Sequence, residues 1–360
     1  MSGWSAKSAP RWNCAGWTPT PRKPRRKGDG AAALAYTADM SAAARIRPLD
    51  LFPREEWERL SARNAWMGPL LLVHAWLIIA AAMALSIWSL WFLPVSIMLI
   101  GARQLGLTIL MHDAAHGALH PNAKVNDFLG HWLAGAPMGG HLKAYRQYHL
   151  THHKFAQQEE DPDLILSKPF PVTRTSLRRK IIRDLTGQTF YKQRANQFAN
   201  AFGIGIRKGP GAENRSQSAR EAVIPMIITN LVIFSVLTVL GYWWSYFVLW
   251  LLPMATWMMM ITRLRNIGEH AVVADNNDPM RHARTTLANP LEGLLLAPYW
   301  VNYHCEHHMF MHVPCYRLGL IHRALAARGV TQRMEVQRGY LKVLSMATSK
   351  PEQPKGLAAA

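Results

Sequence analysis

His149-Leu150-Thr151-His152-His153 decides how this chain is read, because it has a twin far downstream, His304-Cys305-Glu306-His307-His308. A third group, His112-Asp113-Ala114-Ala115-His116, precedes both. Residues three and four apart on a helix share a face, so each group aims two or three imidazoles in one direction. Imidazole is the commonest protein ligand for iron, zinc and copper. Three such groups, each beside an apolar segment, point to bound metal rather than to ordinary surface or core histidines.

The chain has 360 residues, 49% hydrophobic and 18% charged, with Trp 14 and Met 17. That balance suits a protein lying partly in lipid. The formal charge of +19 invites a nucleic-acid partner, yet the basic residues flank apolar segments and no aromatic-plus-basic binding module accompanies them, so an anionic membrane surface is the expected partner and nucleic acid is not. Cys14, Cys305 and Cys315 form neither an even-numbered disulfide framework nor a Cys-x-x-Cys zinc spacing.

An almost unbroken apolar run extends from Trp66 to Met111. It is too long for one span, since about 20 residues cross the roughly 30 Å hydrocarbon layer. Ser86, Ser89 and Pro94, with Trp88 and Trp91 among them, mark an interfacial turn between spans near Met67 to Ile87 and Phe92 to Met111. The pattern repeats from Ile224 to Leu240 and from Phe247 to Ile261, around a Trp- and Tyr-rich turn at Gly241 to Tyr246. The expected architecture is therefore all-α, an integral membrane protein of two helical hairpins with a helical metal domain beneath them. Neither turn carries Lys or Arg, whereas the remaining segments are rich in both, which places those segments in the cytoplasm. Each hairpin returns the chain to the side it left, so all three histidine groups share one side of the membrane.

Outside the hairpins, residues 1–39 read as a disordered basic tail with no apolar signal segment, and Met40 as a candidate translation start. Residues 40–348 form the membrane enzyme domain, and 349–360 read as a second disordered tail. A short helix is expected near Pro53 to Arg63, a basic amphipathic helix on the membrane from Thr175 to Gly187, and another helix from about Cys315 to Arg328 closed by Gly329.

The groups supply His112, His116, His149, His152, His153, His304, His307 and His308, and His270 directly after the fourth span makes nine. Nine ligands exceed the needs of one ion, so two metals are implied. Zinc hydrolases usually show His-Glu-x-x-His, whereas Asp113-Ala114-Ala115 fills the gap here. Haem needs one or two axial histidines. A neutral, all-nitrogen shell around two irons leaves positions where O2 could bind, at the end of a membrane hairpin.

In its three ordered boxes on two hairpins, over roughly Arg103 to Leu325, the chain resembles the membrane fatty acid desaturase superfamily and its related hydroxylases and ketolases. Asn126-Asp127, Asp161-Pro162-Asp163 and Asn266 four residues before His270 strengthen the resemblance. It implies two non-haem irons, one held by His112, His116, His153 and His308. The other would take His149, His152, His270, His304 and His307, with Asn266 reaching it through water. The implied reaction is O2- and electron-dependent desaturation of a fatty acyl or related lipid chain. The implied setting is the cytoplasmic face of a bacterial inner membrane. No His-Pro-Gly-Gly haem segment or Cys-rich ferredoxin region occurs, so a separate ferredoxin- or cytochrome b5-type donor is expected. Alternatives are a hydroxylase or ketolase of a carotenoid, sphingolipid or other apolar substrate, a zinc-dependent membrane hydrolase, and a non-enzymatic metal-binding membrane protein.

Asp113, Glu269 and Glu306 are candidates to orient ligand imidazoles, or else solvated carboxylates. The acidic turn Glu159 to Asp163 is a candidate for docking a donor or closing the site. Arg103, two turns before His112, is either functional or snorkels to the interface. Of the histidines outside the boxes, His131 and His312 are the expected exceptions to a structural role.

Overall fold

The structure of the protein, a computed structural model, describes residues 45–204 and 212–351. The basic stretch 1–39, Met40 and all but the first residues of 349–360 lie outside the described residues. After a short helix α1 (Arg54–Ser61), α2 (Met67–Trp88) and α3 (Leu93–Ala115) form the first hairpin. At about 1.5 Å per residue the 22 residues of α2 suffice to cross a bilayer. Trp88 and Trp91 at the turn are 77% and 93% exposed, as expected of aromatic side chains at a headgroup boundary. Small residues let the two helices close: Ala75 and Ala82 are buried, and the Ser96 hydroxyl donates to the Ala82 carbonyl at 2.8 Å.

Between the first hairpin and the second lie α4 (Ala123–Phe128), α5 (Leu142–Lys154), α6 (Arg174–Leu185) and α7 (Gln188–Ala201). Helix α8 (Ala212–Val239) supplies the third span, Ala219–Val239, and the fourth runs Trp243–His270. Four spans match the expectation, but the fourth is longer than Phe247 to Ile261 and broken. It passes through a π turn at Tyr246–Leu251, then Pro253, which has no N–H for the ladder, and bends at Thr256 before α9 (Trp257–His270). Asn230 of the third span ties the hairpin together, its Oδ1 accepting from Trp250 Nε1 at 2.9 Å and from the Tyr246 hydroxyl at 3.0 Å. Gln104 of α3 donates to the Trp250 carbonyl at 2.8 Å and so joins the two hairpins.

The C-terminal third folds beneath the spans as α10 (Pro290–Leu295), α11 (His304–Met309), α12 (Cys315–Ala327) and α13 (Tyr340–Ala347). Among the described residues the helices are joined by one parallel pair of three-residue strands, β1 (Thr285–Leu287) and β2 (Val336–Arg338), too short to leave a periodic signal. Arg103 neither snorkels nor reaches the metal site. It is 4% exposed, donates to the Leu294 carbonyl at 2.6 Å and sits 5.4 Å from the Tyr299 ring, pinning the approach to the third histidine group against α3. That approach is strained: Tyr299 and Trp300 both take left-handed backbone at φ 56° and 57°, which costs about 1–2 kcal/mol per residue. The Tyr299 hydroxyl, bonded to His74 Nδ1 at 3.1 Å and to the Leu71 carbonyl at 3.2 Å, helps hold it there.

The amphipathic helix forms as α6, started by the Thr173 side chain accepting from Ser176 N–H, with Gly187 at φ 74° just past its end. It packs on α9 as well as facing outward. Leu177 buries with Ile267 and Ala271, and Asp184 accepts from Arg263 at 2.5 and 2.8 Å, whereas Ile182 and Leu185 are exposed.

The tightest point of the first hairpin is Gly68, where a Cβ would lie 1.9 Å from the Leu119 carbonyl oxygen. Gly68→Ala must move backbone, and the expected cost is about 1–3 kcal/mol. Thermal unfolding of the detergent-solubilised protein checks this; an unchanged midpoint rejects the packing.

Candidate metal centre

Each histidine group is held by a partner distant in sequence. His112 closes α3 and His116 is its C-terminal cap, where carbonyls lack helical partners. Arg146 of α5 satisfies them, donating to Ala115 O at 2.9 Å and Ala114 O at 3.0 Å, and is itself held by Asp127. Asn126 adds a bond to Ala114 O at 2.9 Å. The Asn126-Asp127 pair thus fastens the first group to α5, three residues before His149. Asp113 faces the other way and accepts from Cys315 N–H at 2.8 Å, a negative group at the start of α12.

On α5, Asp161 orients His152: Nδ1 donates to its carboxylate at 2.8 Å, which leaves Nε2 free to bind metal. Asp161 is buried, and its position is fixed by accepting from the N–H groups of Gln157 and Asp163, both at 2.8 Å. The acidic turn therefore serves the site through Asp161, while Asp163 takes the Tyr148 hydroxyl. Glu269 accepts from Arg265 at 2.6 Å and lies 3.6 Å from His304 Nε2. Glu306 does not orient a ligand imidazole. It accepts from Thr285 and, at 2.5 Å, from His322 Nδ1, anchoring the back of α11 so that His304, His307 and His308 face forward.

The nine imidazoles converge. His112, His116, His149, His153 and His307 form one cluster and His152, His270, His304 and His308 a second, the ligand atoms within each all lying within 4.8 Å of one another. The Nε2 atoms of His149 and His153, of His153 and His307, and of His270 and His304 are separated by 3.0, 3.0 and 2.9 Å. Nitrogens bound about 2.1 Å from one ion stand roughly 3 Å apart. The clusters abut where the rings of His153 and His308 stack at 4.3 Å.

This grouping differs from the partition implied by the resemblance. Within each His-x-x-His-His group the i and i+4 imidazoles, His149 with His153 and His304 with His308, keep one stripe. His152 and His307, at i+3, turn to the opposite cluster. Asn266 lines a cavity of about 50 Å³ together with His152, His270 and His304.

The donor set suits metal. Both ring nitrogens of His112 and His116 are buried without a hydrogen-bond partner. Such vacancies cost about 1–3 kcal/mol each, a loss that bound ions offset. Burial first, and neighbouring imidazoles second, hold His149, His153, His304, His307 and His308 well below the usual histidine pKa, and His116 at about 3. They stay neutral, with lone pairs available. His152 is the exception: burial lowers its pKa, but the Asp161 bond and nearby carboxylates outweigh that and raise it.

His282, one of the histidines read as structural from the sequence, is 4% exposed and 5.2 Å from the His308 ring, and neither of its ring nitrogens has a partner; it belongs to no spaced motif that could have announced it. His131 and His312 join neither cluster. His131 Nδ1 lies 3.5 Å from Leu142 N, and His312 bonds the His116 carbonyl at 3.2 Å.

The fatty acid desaturase family model matches residues 89–338. The chain belongs to that family. It is therefore an oxidoreductase carried by four candidate membrane spans, and the zinc hydrolase and non-enzymatic readings fall away. Dihydrorhizobitoxine desaturase of Bradyrhizobium elkanii is 27% identical over 77% of this chain and 78% of its own. A beta-carotene ketolase of Paracoccus sp. (strain N81106 / MBIC 01143) is 26% identical over 67% of this chain and 87% of its own. Another, from Paracoccus sp. (strain PC1), is 25% identical over 60% and 73%. As a member of the fatty acid desaturase family, the chain has histidine clusters consistent with a di-metal site.

Replacing the carboxylate that orients His152 should loosen metal without removing a ligand. Asp161→Asn is expected to weaken retention about 10- to 100-fold, measured as metal content after dialysis against graded chelator. His152→Ala should lose more. Retention equal to wild type in Asp161→Asn rejects the orienting role.

Proposed function

We propose that the two clusters hold two irons and that the enzyme introduces a double bond into a fatty acyl or related lipid chain. The carrying observation is the convergence of nine imidazoles, most of them buried, in a chain of this family with two apolar hairpins. The nine ligands are His112, His116, His149, His152, His153, His270, His304, His307 and His308, with Asn266 facing the second cluster. Two irons in an all-imidazole shell supply O2-dependent removal of hydrogen from an unactivated C–H bond.

The protein's own part is positional. Asp161 keeps the His152 proton on Nδ1, and Arg146 locks the first two groups in register. Glu306 and Thr285 fix the third group from behind. His304 and His307 are each 2% exposed, so bulk water is kept from their lone pairs. Electrons come from a separate donor of ferredoxin or cytochrome b5 type. The lysines and arginines between and after the hairpins, against none in the turns, support a cytoplasmic site in a bacterial inner membrane.

Desaturation is the reaction for which the relative with 77% coverage is named. Two ketolase relatives favour oxygen insertion into a carotenoid or other apolar substrate as the second reading. Mass spectrometry of lipids from cells expressing wild type or His149→Ala distinguishes them. A wild-type product lighter by two hydrogens supports desaturation, and one that has gained oxygen supports the second reading. Purified active protein that lacks iron, or turns over undiminished without O2, sinks both.

Orientation is tested separately in a Cys14→Ser background. Trp91→Cys, in the first turn, should react with a membrane-impermeant thiol reagent added to intact cells, and Glu160→Cys only after lysis. The reverse pattern rejects the cytoplasmic placement.

A further inference from the structure

Away from the metal clusters, α6 and α13 face each other across an open groove of about 390 Å³. Arg174, Leu177, Arg178, Ile181 and Ile182 line one side and Leu341, Leu344, Ser345 and Thr348 the other, each set at the three- and four-residue spacing of one helix face. Val172 N–H donates to the Ala347 carbonyl at 2.8 Å, and Leu177 buries with Val343 and Ala347 while Ile181 and Leu344 pack against them, so the start of α6 meets the end of α13. The groove is consequently graded. Arg174 and Arg178 share one end with Ser345 and Thr348, while Ile181 and Ile182 share the other with Leu341 and Leu344.

The apolar end is also the membrane end. Just beyond α6, a Cβ at Gly187 would lie 3.8 Å from the carbonyl oxygen of Ala255, which belongs to the fourth span. Leu341 is 80% exposed and Ile182 45%, surface that water penalises and acyl chains do not. The carboxylate of α6, Asp184, lies at this same end and is already taken by Arg263. Among the described residues no ion pair engages Arg174 or Arg178.

We infer that this groove binds an anionic phospholipid of the surrounding bilayer, its phosphate against Arg174 and Arg178 and one acyl chain along Ile181, Ile182, Leu341 and Leu344. A soluble acidic protein would use the cations and leave the apolar floor unexplained; a phospholipid uses both, in the order the helices present them. The site stands apart from the reaction at the metal clusters.

Native mass spectrometry of the full-length protein in detergent, titrated with dioleoylphosphatidylglycerol or dioleoylphosphatidylcholine, tests this. The anionic lipid should bind at lower concentration. Arg174→Gln with Arg178→Gln should weaken it about tenfold, whereas Arg179→Gln with Arg183→Gln, on the outer face of the same helix, should change it less than about twofold. Leu341→Ser, at an exposed position, should weaken both lipids. Circular dichroism and metal content are expected to match wild type in all variants. Equal losses in the two arginine pairs, equal affinity for the two lipids, or displacement by equimolar inorganic phosphate overturns the assignment.

Discussion

Nine imidazole rings turn their lone pairs toward one another in a buried space, and lone pairs about 3 Å apart repel unless a cation lies between them. Much of the surrounding architecture serves to hold that arrangement. Burial keeps rings such as His116 and His149 neutral, which limits the positive charge that accumulates but leaves nitrogens unpartnered. Bound metal would resolve both conditions and so would couple site assembly to metal binding.

The residues between the ligands carry the scaffold. Asp113 bonds the start of α12, Glu306 bonds β1 and α12, and Arg146 caps α3 from α5. Each histidine helix thus presents ligands on one face and spends its other face on a bond to a different helix. The six-residue α11 shows why this is needed: a helix of that length is not stable by itself, and buried bonds behind it replace the missing turns. The strain at Tyr299 and Trp300 belongs to the same account, since it lets the chain turn back beneath α3 in time to start α11.

The hairpins supply depth. α3 ends at the first histidine group and α9 ends at His270, so two of the candidate spans deliver imidazoles to the clusters. α9 is clamped outside the metal site as well: Leu177 of α6 packs on Ile267, and the Tyr340 ring of α13 fills the space beside Gly268, where a Cβ would lie 2.5 Å away. The helix that carries His270 is therefore braced by the two elements that form the lateral groove.

Local spacing determined what the sequence by itself could determine. Runs of apolar residues fixed the spans, uncharged turns paired them into hairpins, and imidazoles at i, i+3 and i+4 marked three ligand faces, because helical periodicity is a property of neighbouring residues. His270 was reached through its place directly after the fourth span, and Asn266 through family resemblance. Tertiary structure alone decided which imidazoles share a cluster, that Asp161 and not Glu306 bonds a clustered imidazole, that Arg103 is a structural pin, and that His282 sits beside His308. Each of these depends on the angle and distance at which separate helices meet, and packing of whole elements sets that geometry beyond what any local run of residues encodes.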